Sequence, residues 1–356
     1  MEEIITLTQD LIRFKTVDSR PDEIQRCVSF VEDYLKNCGI HYRRIDHNNI
    51  PSLIVMPASN FAPIILMSHL DVVDGADDLF VPRLKGDALY GRGSIDDKYA
   101  VALSLVLVKK YLHRLQTRGQ NQSDLPFGVL ITCDEEIGGI YGARKALQEI
   151  QAEFCIALDG GCLKKIIVKE KGIIRLKLKA RGKSAHGARP WLGENAIENL
   201  IDDYRVLKKY FVLSTADRWQ RTLNFSRIEG GKATNQVPDY AEALFDIRYT
   251  ENDDMEKIFL EIQHKIKGEL IVERKEPLFE GGDSPYLDRL LEIAKDAEVG
   301  FEHGASDARF LSAHGIKGIV WGADGDMSQH SADEYVHIES VYKLYDLLDA
   351  FIKDQQ

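Results

Sequence analysis

The sequence predicts an α/β fold: a mixed sheet flanked by helices on both faces and interrupted by an inserted β-α-β-β-α-β unit. Two observations predict it. Short apolar runs ending in acid or histidine alternate with amphipathic helical stretches as far as Asp159, and again from Ser284. Between them, from Lys169, apolar and charged residues alternate one by one, as in a sheet with one face in water. The 356 residues exceed what one ordinary core covers, so two domains are expected. Residues 1–168 with 280–356 form the expected discontinuous domain, and 169–279 the insert.

In chain order, Ile4, Ile5, Leu7, Leu11 and Ile12 recur at helical spacing, and a second helix is expected over about 21–37, with Gly39 as its stop. Strand-like runs follow at His41–Ile45, Ser52–Met56 and Pro63–Ser68. Asp74–Tyr90 is polar and reads as a loop. A strongly apolar helix is expected over Tyr99–Leu115, then a solvated loop and two short strands, Phe127–Cys133 and Phe154–Leu158. In the insert, Ile174, Leu176, Leu178 and Ala180 mark a strand, followed by a helix over about 194–211. Strands Thr222–Ile228 and Ala241–Tyr249, a helix Asp254–Lys267 and a strand Glu269–Glu273 complete a split βαβ unit of ferredoxin-like type. The remainder reads as a helix Tyr286–Ala297, a short one near Ser306–Ala313, a strand Gly318–Trp321 and a final helix over about 338–353.

Composition narrows the partners. A formal net charge of −11 argues against nucleic acid, or an anionic membrane surface, as the main partner. No apolar run is long enough to span a bilayer, and Met1-Glu-Glu-Ile-Ile lacks the pattern of a secretion signal. Cys27, Cys38, Cys133, Cys155 and Cys162 are odd in number, with no C-x-x-C pair, so neither a disulfide framework nor a cysteine zinc site is indicated. A reducing cytoplasm is the expected location.

The chemistry starts at Ile64-Ile-Leu-Met-Ser-His69-Leu-Asp71, a buried strand delivering its last side chains to a site. His69 and Asp71 project from one face of an extended chain, so the carboxylate can hold one ring N–H and leave the other nitrogen for a metal. Further on come Asp96-Asp97, Asp134-Glu135-Glu136, Asp159 and His330. Singly each has a bland reading: a helix cap, a solvated strand end, turn chemistry, a surface loop. Together they need several coincidences, because strand ends in an α/β sheet converge on one crevice. Two histidines and three carboxylates, one of them shared, suffice for two divalent ions. That N/O mixture suits Zn²⁺, with Mn²⁺ or Co²⁺ as alternatives. A further carboxylate beside such a pair would be a general base for water.

The sequence resembles the dinuclear zinc amidohydrolases that include aminoacylase, acetylornithine deacetylase, succinyl-diaminopimelate desuccinylase and the glutamate carboxypeptidases. The resemblance rests on Ser-His69-Leu-Asp71, Gly-Arg-Gly-Ser-Ile-Asp96-Asp97-Lys98, Asp134-Glu135-Glu136-x-Gly138-Gly139 and Leu-Asp159-Gly-Gly. It continues through Ser-Ala-His186-Gly-Ala-Arg-Pro190, Asn235-Gln-Val-Pro-Asp, Phe-Asp-Ile-Arg248-Tyr, Ser306-Asp-Ala-Arg-Phe and His330-Ser-Ala-Asp-Glu-Tyr. It implies a zinc-exopeptidase-like catalytic domain whose insert is a lid and dimerisation domain. Asp96 would bridge two metals, with His69 and Asp159 holding one and Glu136 and His330 the other. Glu135 would be the general base, and Asp71 would orient His69. His186 would stabilise the oxyanion, often across a dimer, and Arg248 would grip the substrate carboxylate, assisted by Asn235 and Gly304. The family usually joins the Asp96 and Asp97 positions by a cis peptide.

The implied activity is hydrolysis of an amide bond, peptide or N-acyl, in a small carboxylate-bearing substrate, by a homodimer. Deacylase and dipeptidase or carboxypeptidase need the same metal centre, so both stay open. A non-catalytic metal-binding relative would have lost the base or a ligand, and both are present. Tyr99 stands where relatives commonly have Gly, and His303-Gly304-Ala305-Ser306 replaces the more usual Gly-Gly-Thr-Ser.

Overall fold

Apolar runs become the inner strands of a mixed sheet, and the residues on either side of each strand face two separate cores. The computed structural model describes residues 1–57, 60–212 and 216–354. In chain order the first elements are α1 (Glu2–Ile12), α2 (Pro21–Asn37), β1 (Arg43–His47), β2 (Ile50–Val55), β3 (Phe61–His69), β4 (Arg83–Lys85) and β5 (Ala88–Tyr90). Then come α3 (Lys98–Thr117), β6 (Phe127–Thr132), α4 (Ala143–Ala146), β7 (Gln151–Ala157) and β8 (Lys165–Glu170). The middle of the chain forms β9 (Gly172–Arg181), α5 (Ala196–Lys208), β10 (Thr222–Gly230), β11 (Tyr240–Tyr249), α6 (Met255–Gln263) and β12 (Glu269–Glu276). The end returns with β13 (Phe279–Glu280), α7 (Pro285–Ile293), β14 (Glu298–Glu302), β15 (Lys317–Val320), β16 (Tyr335–His337) and α8 (Ile338–Asp354).

Two units result. Met1–Lys169, Phe279–Glu302 and Ser306–Gln356 form the first; Glu170–Leu278 with His303–Ala305 form the second. The first unit's sheet runs β1-β2-β6-β3-β7-β15-β8-β13, with β14 beside β8. Pairs β6/β3, β3/β7 and β7/β15 are parallel, while β1/β2, β2/β6 and β15/β8 are antiparallel. Side chains alternate along β3: Ile64 and Leu66 join a core with α1, α2, α3 and α8, whereas Ile65 and Met67 join a smaller one with α4. Helix α3 is buried around most of its circumference, which is why its sequence reads as apolar on nearly every side.

In the second unit the sheet order is β10-β11-β9-β12, all antiparallel, which in order of appearance is 2-3-1-4. Ile174, Leu176, Leu178 and Ala180 of β9 and Ala243, Phe245 and Ile247 of β11 pack against Leu200 and Leu207 of α5. The opposite face is charged, with Lys177 bound to Glu273 at 2.6 Å and Arg175 paired with Asp246.

The structure adds elements to those expected. The segment read as a loop between Asp74 and Tyr90 contains β4 and β5, which form a three-stranded sheet with β16. Strands β8, β13, β14 and β16 and the single turn α4 were not anticipated. These strands are short and several carry charged residues, so no apolar run announces them. Residues 306–313, expected as a short helix, form a 3₁₀ segment over Asp307–His314.

Candidate metal centre

Parallel strands β6, β3 and β7 all end at one edge of the sheet. His69 closes β3, level with Thr132 at the end of β6. Two residues past the end of β7 comes Asp159, and just past β6 come Asp134, Glu135 and Glu136. Asp96 arrives from the loop that enters α3, and His330 from the loop after β15. The Asp96–Asp97 peptide is cis. The side chain of Asp97 does not cap α3; its Oδ2 accepts the backbone N–H of His69 at 3.3 Å.

The carboxylate of Asp96 lies between the two histidines. Its Oδ1 is 3.0 Å from His69 Nε2, and its Oδ2 is 3.0 Å from His330 Nε2. Asp159 Oδ2 stands 3.7 Å from the first imidazole, and Glu136 Oε2 stands 3.2 Å from the second. Two groups of potential ligand atoms follow, His69–Asp96–Asp159 and Asp96–Glu136–His330, each set within 4.8 Å of one another. His69 is 1% exposed, yet its Nε2 has no hydrogen-bond partner among the described residues. A buried imidazole nitrogen facing carboxylate oxygens without a hydrogen bond is what a cation between them would satisfy. The donor set, imidazole nitrogen with carboxylate oxygen, fits a divalent ion of the zinc type.

Electrostatics point the same way. Burial disfavours charge on His69, but Asp159, Asp71 and Asp96 outweigh it and raise the imidazole well above its ordinary value. Asp96 and Glu136 push His330 up to about 10. Burial works against the Asp96 carboxylate, yet His330 and His69 hold it below the usual range. The cluster therefore attracts positive charge at both imidazoles. Glu135 differs: burial, with Asp159 and Asp307 nearby, raises it well above an ordinary carboxyl, against His69 and Arg309. It belongs to neither ligand group.

Both the backbone carbonyl and the carboxylate of Asp71 lie beside His69. The nearer partner of His69 Nδ1 is the Asp71 backbone carbonyl at 3.0 Å; the carboxylate stands at 3.5 Å. A carbonyl only accepts, so a proton on Nδ1 leaves the lone pair of Nε2 facing Asp96 and Asp159. The Asp71 carboxylate is occupied by the backbone N–H groups of Glu135 at 3.2 Å and Glu136 at 2.9 Å. It thereby holds the turn that presents both glutamates.

Other residues were not singled out from the sequence. Glu334 is 1% exposed; its Oε1 accepts N–H groups from Gly93 at 2.8 Å, Ile95 at 3.3 Å and Asp96 at 3.4 Å. Its other oxygen pairs with Arg92, whose Nη2 also donates to the His330 carbonyl at 3.3 Å. One buried carboxylate thus ties the Asp96 loop to the His330 loop. Buried Arg309 lies 3.6 Å from Glu135 and 3.7 Å from Asp307, behind the glutamate. Gly139 has φ +63°, and a Cβ there would lie 1.9 Å from Asp307 Oδ1, so the turn after Glu136 requires glycine. Glu334 and Arg309 both lie inside the motif segments, but only the fold reveals what they touch.

The remaining expected residues lie in the second unit. His186 pairs across an isolated bridge with Gln236, beside Asn235, whose carbonyl accepts the Gly187 N–H at 2.7 Å. His186 Nδ1 lies 3.0 Å from the Ala188 backbone nitrogen and accepts its N–H, which places the ring proton on Nε2. Arg248, near the end of β11, is half-buried and donates from Nε to Asp246 at 2.9 Å. Gly304 is exposed, in the three-residue segment His303–Ala305.

Residues 65–354 match the model of peptidase family M20/M25/M40. The chain belongs to this family. It is therefore a hydrolytic enzyme with a metal-dependent chemistry. The chain is 25% identical to a succinyl-diaminopimelate desuccinylase of Ehrlichia ruminantium, over 98% of this chain and 97% of that protein. Its fold is similar to that of a tripeptidase from Staphylococcus aureus, with a TM-score of 0.80, 20% identity, and 99% and 98% of the two chains covered. It is also similar to a dinuclear metal-binding M20 peptidase from Bacillus subtilis, with a TM-score of 0.66, 14% identity, and 99% and 97% covered. No helix among the described residues is long and apolar enough to cross a membrane, and all five cysteines are free.

Proposed function

We propose that this enzyme cleaves an amide bond, peptide or N-acyl, in a small substrate bearing a free carboxylate, using two divalent ions. His69 and Asp159 would hold one ion, Glu136 and His330 the other, with Asp96 between them. The observation that carries this reading is the 3.0 Å approach of each Asp96 oxygen to a different imidazole. Zn²⁺ is the ion we favour, with Co²⁺ or Mn²⁺ as substitutes. When bound, such a pair polarises the scissile carbonyl and makes water nucleophilic near neutral pH.

The protein's own groups do the rest. Glu135, left out of both ligand groups and held at its backbone N–H by the Asp71 carboxylate, takes the proton from the attacking water and passes it to the leaving amine. His186 donates from Nε2 to the developing oxyanion, and the Arg248 guanidinium forks onto the substrate carboxylate, with Asn235 and Gly304 assisting. In this reading the second unit serves as lid and dimerisation domain, bounded at about 169–279. Its outer strands β10 and β12 carry exposed Ile228 and Val272, which edge pairing between two copies would cover. Five free thiols suit a reducing cytoplasm.

The test is a panel of dipeptides and acetyl, succinyl and formyl amino acids, assayed with Zn²⁺, Mn²⁺ and Co²⁺. Hydrolysis confined to N-acyl amino acids assigns a deacylase, and hydrolysis confined to free dipeptides a peptidase. No turnover of any member with any ion would overturn the reading. Light scattering at assay concentration checks the dimer; an active monomer would exclude action of His186 across the pair.

A further inference from the structure

Tyr99 is the second residue of α3, three positions after Asp96, and is completely buried. Its hydroxyl has two partners. It donates to the backbone carbonyl of Leu158 at 2.9 Å and accepts the backbone N–H of Ala323 at 2.9 Å. Leu158 immediately precedes Asp159, and Ala323 lies just past the end of β15. Strands β7 and β15 pair in parallel up to Ala157 and Val320, and the Trp321 N–H still reaches the Ala157 carbonyl at 2.8 Å. Beyond that bond the phenol takes the place of the next rung, inserted between two strand ends. Space for it exists because residue 322 is glycine: a Cβ there would lie 2.7 Å from the Tyr99 hydroxyl.

The consequence is one of position. Asp159, which belongs to the His69 ligand group alone, directly follows the carbonyl that Tyr99 binds, whereas Asp96 is common to both groups and its N–H is held by Glu334. Glu136 and His330 are held otherwise. The Glu136 N–H is bound by Asp71, and the His330 carbonyl accepts from Arg92. We propose that Tyr99 is a positioning residue for one half of the centre: its hydroxyl pins the Leu158 strand end so that Asp159 faces His69, and the Glu136–His330 half does not depend on it. This rests on the two-ion reading given above.

Tyr99→Phe keeps the ring and removes the crossbar. Tyr111→Phe is the matched control, because Tyr111 is another buried tyrosine of α3 whose hydroxyl donates to the Asp349 carbonyl at 3.2 Å, away from the centre. Zn²⁺ titrated into metal-free protein against a competing chelator should show two ions in the native chain and in Tyr111→Phe. In Tyr99→Phe one ion should bind about 10–100-fold more weakly while the other stays within about threefold. If Tyr99→Phe does not fold, Tyr99→Met, which fills much of the ring's space without a hydroxyl, serves in its place and should give the same one-sided loss. Both ions unchanged, or both weakened in parallel, would overturn the proposal. Amide exchange at Ala323 in the metal-free protein is read alongside and should quicken about tenfold in Tyr99→Phe, for the loss of one buried hydrogen bond. A native chain binding fewer than two ions would instead overturn the two-ion reading, and unchanged exchange at Ala323 would overturn the crossbar itself.

Discussion

Replacing Glu334 by glutamine removes one charge from the point where the Asp96 and His330 loops meet. The magnitude follows from what the carboxylate holds. Arg92, 3% exposed, would lose its buried counter-charge, and breaking a buried pair from one side costs about 3–5 kcal/mol. The glutamine carbonyl can still accept from Gly93, Ile95 and Asp96, so the loss should sit near about 3 kcal/mol. Urea unfolding of the metal-free enzyme, followed by circular dichroism, measures it. A double-mutant cycle with Arg92→Met should return a coupling of at least about 2 kcal/mol. Because Glu334 binds the amide of Asp96 itself, ion affinity should fall as well, by about 10–100-fold. A stability loss below about 1 kcal/mol together with native ion affinity would refute the idea that this carboxylate organises the loops.

Other perturbations separate chemistry from scaffold. Glu135→Gln should lower kcat by about 10²–10⁴-fold while both ions remain bound; activity within about threefold of native would remove Glu135 as the base. Asp349 is bound by Lys110 at 2.9 Å and Arg114 at 3.1 Å, and by Lys353, joining α3 to α8. Burial opposes its ionisation, but Lys353 and Lys110 outweigh this and bring its pKa down to about 2. A depressed carboxylate stabilises the fold above its unfolded pKa of about 4, and that contribution is lost as pH falls toward about 2. Asp349→Asn should therefore be less stable than native by on the order of 1 kcal/mol at neutral pH, with the difference closing by about pH 2. A difference independent of pH would exclude an electrostatic origin.

Much of the centre was legible because its residues sit where periodicity breaks. The apolar run Ile64–Ser68 ends in His69, and the runs before Asp134 and Asp159 end the same way, so strand ends and ligand types coincide in the linear chain. The inner strands and long helices were legible for the same reason: burial on one or both faces leaves a pattern of period two or 3.6. Strands β8, β13, β14 and β16 were not. Lys165–Glu170 is flanked by charge on both sides, and Val336 is the one fully buried residue of β16. Glu334 and Arg92 escaped for a different reason. Each reads as an ordinary surface charge until a pairing across 242 positions buries both. The role of Asp71 lay between these cases. Its spacing from His69 placed it beside the ring, but only the turn at Glu135 revealed that its carboxylate faces backbone amides.

Metal content measured by mass spectrometry on the native enzyme and on Asp96→Ala, after equilibration with Zn²⁺ and removal of free ion, tests the shared carboxylate most directly. Two ions per native chain and close to none in the variant are expected, since both imidazoles lose the same partner. Two ions retained by Asp96→Ala would contradict it.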